Sequence, residues 1–413
     1  MARFLTLQPV EAILDRIREF SPLPAENIPL AACPGRILAA PFKAPEDLPG
    51  FDRSTMDGFA ARAKDTFGAS ESMPALLDYA GECPMGEAPG LSIKPGQTAR
   101  IWTGGMLPGG ADAVVPLEYS RVAGDRLVEL TRPAAPFDCV ISRGEDARKG
   151  EELLPAGRVL RPQELGLLAA LGQQTACVRQ KPKVAVISTG DEIVPVTDLP
   201  APGQVRDINS HTLVALAEAA GGEGRALGIV RDSLEELRSR VAHALEWADV
   251  LLLSGGSSAG RRDFTINAFH ALPGVEILAH GVAISPGKPL ILARRAEKSL
   301  WGMPGHAASA LICAEVFIRP LLYRLSGREE GAVRIEAPKA VLSRPVASAQ
   351  GRRDYIRVRL SPPAGPGGML TATPIMGKSG LINTLVMTDA LIVCPENQEG
   401  LDAGALVDLH FLL

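Results

Sequence analysis

Polar and glycine-rich segments recur at five places between residues 181 and 327, each beside an apolar run. They lie at 188–192, 231–232, 254–263, 285–289 and 303–306. Ligands of open α/β sheets bind outside the carboxyl ends of the strands, so these segments together predict one binding site. The residues expected to bind the ligand in them are Thr189, Gly190, Asp232, Ser254, Gly255, Gly256, Ser258, Pro304 and Gly305.

The loop over 254–260 offers a place for an anion. It follows an apolar run and precedes a predicted helix. Its glycines permit close backbone approach, while free N–H groups and the helix dipole favour a phosphate. The loop is not a Walker A motif and lacks the G-x-G-x-x-G order. A plain strand-to-helix turn is the alternative interpretation.

Four carboxylates fall on the same segments: Asp191, Glu192, Asp232 and Asp263. Carboxylate oxygens beside phosphates suit a divalent cation such as Mg²⁺, and we expect Asp191, Glu192 and Asp263 to be its ligands. Helix N-capping is an equally good interpretation of Asp232 and Asp263.

Lys288 lies in a Pro-Gly-Lys-Pro turn that would fix its direction; a solvated turn lysine is the alternative. His306 begins a predicted helix and is interpreted as an ordinary helix-start residue, with contact to an anion as the alternative.

The sequence offers no Ser/His/Asp set for nucleophilic catalysis, and its six histidines have no metal-ligand spacing. The residues alone therefore indicate a phosphorylated ligand bound with Mg²⁺.

The elements that must position these loops form an α/β domain over 182–327. Apolar runs alternate with amphipathic helices there, which predicts βαβ units and a parallel sheet. The predicted strands cover 184–187, 226–230 and 250–253, and the predicted helices cover 208–220, 234–247, 263–272 and 306–325.

The flanking segments predict further domains, so the fold class is multidomain α/β plus β. An amphipathic helix over 7–20 and a second one after residue 150 are expected to pack together, which makes the mixed N-terminal domain discontinuous. Short β-like runs separated by Gly/Pro turns predict a β-rich module and a small C-terminal barrel-like domain. The expected domains are 1–43 plus 149–181, then 44–148, 182–327 and 328–413.

Composition excludes several classes of protein. The hydrophobic content of 46% and the unperiodic distribution of 42 Gly and 34 Pro indicate a folded chain, neither disordered nor collagen-like. A net charge of −4 provides no basic field for nucleic acid. Six separated cysteines without a C-x-x-C pair disfavour zinc, iron–sulfur and disulfide frameworks. Neither a signal peptide nor a membrane span is predicted, so we expect a cytoplasmic protein.

The sequence closely resembles the molybdopterin molybdenumtransferase (MoeA) family, which includes the E domains of gephyrin and its plant counterpart. The segment 49–60, P-G-F-D-R-S-T-M-D-G-F-A, is similar to that family's Met-Asp-Gly signature. The resemblance continues through 100–104, 143–146, the sheet-edge loops and 377–380, and spans essentially the whole chain.

The resemblance implies a homodimer with a cleft shared between one subunit's α/β domain and the other's Met-Asp-Gly module. The implied reaction is the last step of molybdenum cofactor synthesis, in which adenylated molybdopterin loses AMP and accepts molybdenum from molybdate. Mg²⁺ would offset the pyrophosphate charge. Contact with the molybdopterin adenylyltransferase is a further expectation, and neither nucleic acid nor membrane is expected as a partner.

The resemblance also implies roles for individual residues. Asp57, Thr103 and Asp146 would serve the cleft from the partner subunit, while Glu192, Asp232 and Asp263 would serve the metal and nucleotide side. The catalytic set would be Glu192, Asp57, Lys288 and Asp263, with Glu192 orienting Mg²⁺ or the attacking group. The pocket for molybdate would contain Lys288, Ser309, Arg352 and Ser379.

Three positions depart from the family pattern. Ser285 and His306 stand where the family often has Lys and Asn, and Ser257 stands where Val or Thr is more frequent. The serine at position 285 removes one positive charge from the expected pocket, so it is expected to affect the preference for molybdate or tungstate.

The alternative functions are tungstate insertion, adenylylation of molybdopterin by ATP, and a gephyrin-like scaffold, for which the long linker and extra domains are missing.

Overall fold

The computed structural model describes residues 6–124, 126–255, 264–328, 337–363 and 368–412. Its helices are α1 (Val10–Arg18), α2 (Pro162–Ala170), α3 (Asn209–Ala219), α4 (Leu234–Trp247), α5 (Phe264–His270), α6 (Ala307–Cys313), α7 (Arg319–Leu325) and α8 (Asn383–Val386). A π-helical turn at Ala314–Ile318 joins α6 to α7, and short 3₁₀ turns lie at Leu30–Ala32, Ala63–Thr66 and Leu117–Tyr119.

The strands before the central sheet are β1 (Ala25–Pro29), β2 (Phe42–Lys43), β3 (Arg53–Ser54), β4 (Gly58–Ala61), β5 (Ala75–Glu82), β6 (Gln97–Ile101), β7 (Ala113–Pro116), β8 (Ser120–Ala123), β9 (Leu127–Leu130), β10 (Val140–Ile141), β11 (Glu152–Leu154) and β12 (Thr175–Arg179). The later strands are β13 (Lys183–Thr189), β14 (Ile193–Val194), β15 (Val205–Arg206), β16 (Glu223–Val230), β17 (Val250–Ser254), β18 (Val275–His280), β19 (Ile284–Ser285), β20 (Ile291–Arg295), β21 (Lys298–Met303), β22 (Lys339–Leu342), β23 (Val346–Ala347), β24 (Arg353–Ser361), β25 (Leu370–Pro374), β26 (Ala390–Cys394), β27 (Gly400–Leu401), β28 (Leu406–Asp408) and β29 (His410–Phe411).

The central sheet has the order β16-β13-β17-β21-β20-β18. The first four strands are parallel, as predicted, whereas β20 and β18 run antiparallel to their neighbours. The expectation of a parallel sheet is therefore wrong at this edge. The reason is the two-residue connection between β20 and β21, which is long enough for a hairpin and far too short for a parallel crossover.

Both faces of the central sheet are covered by helices. Residues Val250 and Leu252 of β17 belong to one apolar core and Leu251 and Leu253 to another, and all four are fully buried. A strand buried on both faces reads as a continuous apolar run, which is how 250–253 could be predicted. The expected helix over 306–325 is interrupted by the π turn, because Pro320 in the first turn of α7 cannot donate a backbone N–H.

The N-terminal helix packs differently from expectation. Its apolar residues Val10, Ile13 and Ile17 share a core with Trp301 and Leu321 of the central domain. Helix α2 belongs to a separate core around β1 and β12, which pair antiparallel. The expectation that the two helices pack together is therefore wrong, because the apolar stripe of α1 completes the face formed by α7.

Two β-rich regions flank the central sheet. The first is a six-stranded sheet with the order β7-β4-β6-β5-β9-β8. The second is a nearly closed, barrel-like sheet with the order β28-β22-β25-β24-β26-β29. Strand β19 leaves the central domain and pairs with β24, so it ties this second sheet to the central domain. Across the described ranges, the search for a membrane-spanning helix is negative: none combines sufficient length with sufficient apolarity.

Candidate active site

A cavity of about 620 Å³ lies at the carboxyl ends of the central strands. We call it the sheet-edge cavity. Its lining comes from the end of β13 and the loop after it (188–193), the segment from β15 into α3 (205–209), the end of β17 (254–255), residue 289 before β20, residues 304–309 after β21, and Gly380 from the C-terminal domain. Most of the segments that the sequence singles out therefore meet at one place.

Hydrogen bonds donated by side chains fix the floor of this cavity. The Asn209 amide donates to Ser254 Oγ at 2.7 Å and to the Gly305 carbonyl oxygen at 2.8 Å. Ser188 Oγ donates to Asp207 Oδ1 at 2.8 Å. These contacts connect the start of α3 to the ends of β13, β17 and β21.

Two buried polar atoms on the floor have no hydrogen-bond partner in the part of the chain that the structure describes. They are Thr189 Oγ1 and Asn209 Oδ1, in residues that are only 3% and 7% exposed. Both donors of the Asn209 amide are engaged, and a flipped amide would set its oxygen against the Gly305 carbonyl, so Oδ1 is fixed as an acceptor. A buried polar atom without a partner costs about 1–3 kcal/mol, which a ligand donor would offset.

Glycines allow the backbone to approach closely around this floor. Gly255 has φ +105°, and a Cβ there would overlap the Thr189 carbonyl oxygen. Gly190 has φ +145°, and a Cβ there would lie 2.6 Å from Glu192 Oε2. The backbone of Glu192 is also fixed, because its carbonyl oxygen accepts a hydrogen bond from the Val205 N–H at 2.9 Å.

The cavity rim joins two domains. His306 Nδ1 and Ser379 Oγ form a hydrogen bond of 2.8 Å, and Ala308 N donates to the Ser379 carbonyl at 3.0 Å. His306, Ser309 and Gly380 all line the cavity. The segment 377–380, which the sequence analysis assigned to the molybdate pocket through Ser379, therefore borders the cavity.

Several predicted residues line the sheet-edge cavity: Thr189, Glu192, Ser254, Gly255, Pro304, Gly305 and Ser309. Gly190 and Asp191 belong to the same loop, and Asp191 Oδ1 accepts from Asp232 N at 3.2 Å. Ser233 caps α4 through Glu236 N, so the capping interpretation of Asp232 is wrong. Gly256, Ser257, Ser258 and Asp263 lie outside the described residues.

The predicted molybdate residues are only partly gathered. Lys288 is exposed beside Pro289, which lines the cavity. The guanidinium of Arg352 pairs with Asp354 at 2.9 Å and is not among the lining groups. Arg357 lies nearer to the rim segment, because it donates to Thr384 Oγ1 and to the Gly377 carbonyl. Burial lowers the pKa of Arg357 from its ordinary value.

Asp57 and Thr103 meet in the β-rich module, away from the cavity lining. The Thr103 N–H and hydroxyl both donate to Asp57 Oδ1, at 2.8 and 2.7 Å. These two bonds hold the pKa of Asp57 below its ordinary value. A Cβ at Gly58 would overlap the Val115 carbonyl, which explains why glycine follows Asp57. Asp146 is exposed in another loop, where its N–H donates to Leu48 O.

The donor set for a metal is small. Among the described residues, no group of three His, Cys, Asp or Glu side chains could hold a metal ion. Mg²⁺ commonly binds through one or two carboxylates together with substrate phosphates. Glu192 and Asp207, the carboxylates that line the cavity, fit such an arrangement.

Sequence reasoning missed Arg206, Asp207 and Asn209, which line the cavity between β15 and α3. A signal was present: the polar run Arg206-Asp207-Ile208-Asn209 lies at the start of a predicted helix. Helices of βαβ units begin on the carboxyl side of the sheet, so this run belonged with the strand-end loops.

Comparison with known proteins matches three regions of the chain to family models. Residues 8–172 match the MoeA N-terminal region (domain I and II), 185–324 a probable molybdopterin binding domain, and 339–412 the MoeA C-terminal region (domain IV). The molybdopterin molybdenumtransferase of Nostoc sp. is 34% identical over 383 residues, covering 92% of this chain and 87% of the relative. That of Synechococcus elongatus is 33% identical over 410 residues, covering 98% of both chains.

A solved structure gives the same result. The molybdopterin biosynthesis MoeA protein from Pyrococcus horikoshii superposes with a TM-score of 0.83 at 36% identity, covering 98% of this chain and 99% of that one. With full-length agreement in sequence and in fold, the chain belongs to the molybdopterin molybdenumtransferase (MoeA) family of enzymes.

Proposed function

We propose that this chain inserts molybdenum from molybdate into adenylated molybdopterin, with Mg²⁺-dependent release of AMP. The observation that carries the proposal is the sheet-edge cavity, whose floor presents fixed polar atoms that still need ligand partners. The named activity of the Nostoc relative supports the same reaction class.

The floor would hold the part of the substrate that carries N–H or O–H groups. Asn209 Oδ1 is an acceptor, so a phosphate or an oxyanion without protons cannot satisfy it. Donors of the pterin ring or of the ribose can. The glycines at 190 and 255 leave room for the backbone to lie close to the substrate.

Cleavage of the phosphoanhydride develops negative charge on the departing AMP. Glu192 and Asp207 would hold Mg²⁺, which supplies positive charge to the phosphate oxygens when it is bound. Glu192 would also orient the attacking group. The Glu192 carboxylate lies beside Gly190 at the exposed edge of the cavity, where it can reach a bound substrate.

Molybdate would bind at the rim, where Ser309 and the segment of Ser379 converge. Lys288 is exposed on the neighbouring turn and would contribute positive charge. Hydroxyl donors and a cation together suit a tetrahedral dianion.

We also propose a homodimer with a shared cleft. Asp57 and Thr103 are exposed and do not line the cavity of their own chain, so a second subunit's module would bring them to it. The cytoplasm is the proposed location, because the six cysteines are free thiols that a reducing compartment preserves. The same compartment would allow contact with the adenylyltransferase that makes the substrate.

The test is turnover by the purified chain with adenylated molybdopterin, Mg²⁺ and molybdate. We expect AMP release, measured by chromatography, together with a molybdenum-loaded cofactor that reconstitutes an apo-molybdoenzyme. A parallel reaction with tungstate measures oxyanion preference. Absence of AMP release with either oxyanion would contradict the proposal, and ATP-dependent formation of the adenylate would establish the adenylyltransferase alternative.

A further inference from the structure

The contact between His306 and Ser379 controls where the single proton of the serine hydroxyl points. His306 lies at the start of α6 and Ser379 in the C-terminal domain, with 2.8 Å between Nδ1 and Oγ. A hydroxyl has one proton to donate, and an imidazole nitrogen either donates or accepts according to its own protonation. The state of His306 therefore determines what Ser379 presents to the cavity.

Two arrangements of the pair are possible. When Nδ1 carries no proton, Ser379 donates to it and leaves only oxygen lone pairs for a ligand. When Nδ1 carries a proton, His306 donates to Ser379 Oγ, and the hydroxyl proton is free for an acceptor. An oxyanion accepts hydrogen bonds and repels lone pairs, so it selects the second arrangement.

The positive form of His306 satisfies this requirement and also adds charge. A neutral imidazole with its proton on Nδ1 orients Ser379 in the same way but does nothing to offset a dianion. Imidazolium carries a proton on both Nδ1 and Nε2, and His306 lies in the lining of the cavity. A bound dianion therefore stabilises imidazolium over the neutral ring.

We propose that His306 is a positioning residue whose proton uptake accompanies oxyanion binding and turns the Ser379 hydroxyl toward the oxyanion. The inference rests on the proposed function, because it takes the rim as the oxyanion pocket. His306 then provides a positive charge to the bound dianion, and molybdate binding weakens as the pH rises.

Other charges also face this rim. Glu192 and Asp207 line the same cavity and favour imidazolium. The positive charges of Arg206 in the lining, of Lys378 beside Ser379 and of Lys288 on the neighbouring turn oppose it. Asp207 already accepts from Ser188, so part of its charge is engaged. Because these groups act on wild type and variant alike, a substitution at residue 306 isolates the contribution of the histidine.

The experiment is calorimetric titration of molybdate into the full-length chain, in buffers of different ionisation enthalpy between pH 6 and about 8.5. Molybdate itself remains a dianion across this range. We expect uptake of a fraction of one proton per bound molybdate. The dissociation constant should rise with pH at a slope that approaches but does not exceed about tenfold per unit.

His306→Asn is the diagnostic variant, because its amide donates to Ser379 Oγ but does not titrate. It should bind molybdate without proton uptake and with a dissociation constant that does not depend on pH. His211→Asn, an exposed histidine on α3 outside the lining, is the matched control and should retain the uptake.

The outcomes separate this inference from the function on which it rests. Molybdate binding without proton uptake in the wild type, or equal uptake in His306→Asn, overturns the inference and leaves the proposed reaction standing. Failure of the wild type to bind molybdate overturns the rim as the oxyanion pocket and the inference with it. AMP release from adenylated molybdopterin by the wild type is then measured separately, and it tests the proposed reaction without reference to His306.

Discussion

The floor of the sheet-edge cavity and the Asp57–Thr103 pair use the same backbone device in opposite surroundings. At the floor, Gly255 packs against the Thr189 carbonyl oxygen, and beside the pair, Gly58 packs against the Val115 carbonyl oxygen. In both places a Cβ would overlap that oxygen. At the floor, the polar side chains of Asn209 and Ser254 are buried and hydrogen-bonded to each other. In the β-rich module, Asp57 and Thr103 remain exposed.

This difference indicates how complete each region is on its own. The floor is preorganised by contacts within one chain, so its remaining unmet hydrogen-bonding groups face a ligand. The Asp57–Thr103 pair has a fixed geometry but no enclosure, so a ligand there would stay in water. An exposed carboxylate becomes an effective catalytic or binding group when another surface covers it, because charge interactions strengthen as water leaves. The comparison favours the shared-cleft proposal.

The largest effect is expected from Gly255→Ala. The added methyl would overlap the Thr189 carbonyl, and φ +105° is also unfavourable for alanine, so the ends of β13 and β17 would be forced apart. We expect a loss of about 3 kcal/mol or more in the free energy of unfolding and a loss of turnover. Thermal unfolding and the AMP-release assay measure the two effects.

Gly228→Ala is the matched control for this substitution. Gly228 lies in β16 with φ +92°, but a Cβ there meets no atom within 4 Å. Its cost should be the backbone strain alone, about 1 kcal/mol. Equal losses in the two variants would show that the close approach at Thr189 does not matter.

The next effect tests whether the two regions act across subunits. Glu192→Gln should lower turnover by about 100-fold, because a charge that orients the reacting groups is lost. Asp57→Asn should lower it less, by about tenfold. A heterodimer that carries one substitution on each chain, purified through two different tags, should recover about half of wild-type turnover if one chain's module serves the other's cavity.

The heterodimer result has a clear alternative. If Asp57 serves the cavity of its own chain, each subunit carries one lesion and turnover stays at the level of the single variants. Glu246→Gln, an exposed carboxylate on α4, is the control for removal of a charge. A mixture of the two variant homodimers, kept under conditions in which subunits do not exchange, is the second control. Recovery of turnover in the heterodimer but not in this mixture would support the shared cleft.

A smaller effect is expected from Asn209→Ala. This change removes the amide that connects Ser254 to Gly305 and the acceptor that awaits a ligand. We expect the KM for adenylated molybdopterin to rise about tenfold, with a smaller change in kcat, since the loss is mainly of binding. Asn27→Ala on the exposed face of β1 should leave both constants unchanged. An unchanged KM in Asn209→Ala would remove Asn209 from the substrate contacts.

The sequence predicted the central helices and strands well, and the physical reason is visible in α4. Its bounds, Leu234–Trp247, are those predicted, because an amphipathic stripe begins directly after a capping serine at Ser233. The hairpin of β20 and β21 was missed, since a two-residue turn leaves little signal in periodicity. The partner of α1 was missed because an apolar stripe tells which face is buried but not what covers it.

The residues of the candidate site also fall into those that the sequence could predict and those that it could not. Loops at strand ends could be grouped from topology, which brought Thr189, Glu192 and Ser254 together in the prediction and in the cavity. Asn209 was missed because its role depends on two hydrogen bonds that only three-dimensional packing creates. Arg352 was placed in the pocket by resemblance, whereas its guanidinium pairs with Asp354 and Arg357 lies nearer to the rim.

The smallest expected effect concerns the proton affinity of Asp57. Thr103→Val removes the hydroxyl donor and keeps the backbone donor, so the pKa of Asp57 should rise toward its ordinary value without reaching it. A lowered carboxyl pKa contributes stability above the ordinary value, and this contribution is lost as the pH falls through the lowered one. In the variant, the pH interval between the lowered and the ordinary pKa of Asp57, over which this stability is lost, should therefore be narrower.

Carboxyl NMR titration of Asp57 measures this change, with Thr131→Val as the control, since Thr131 bonds Tyr119 instead. If the Asp57–Thr103 pair acts on a substrate held by a partner subunit, Thr103→Val should also raise the acidic limb of the pH profile for turnover by the amount that the pKa moves. If the pair only shapes its own loop, the titration will shift while the pH profile stays fixed. That outcome would separate the two regions and leave the sheet-edge cavity as the whole of the active site.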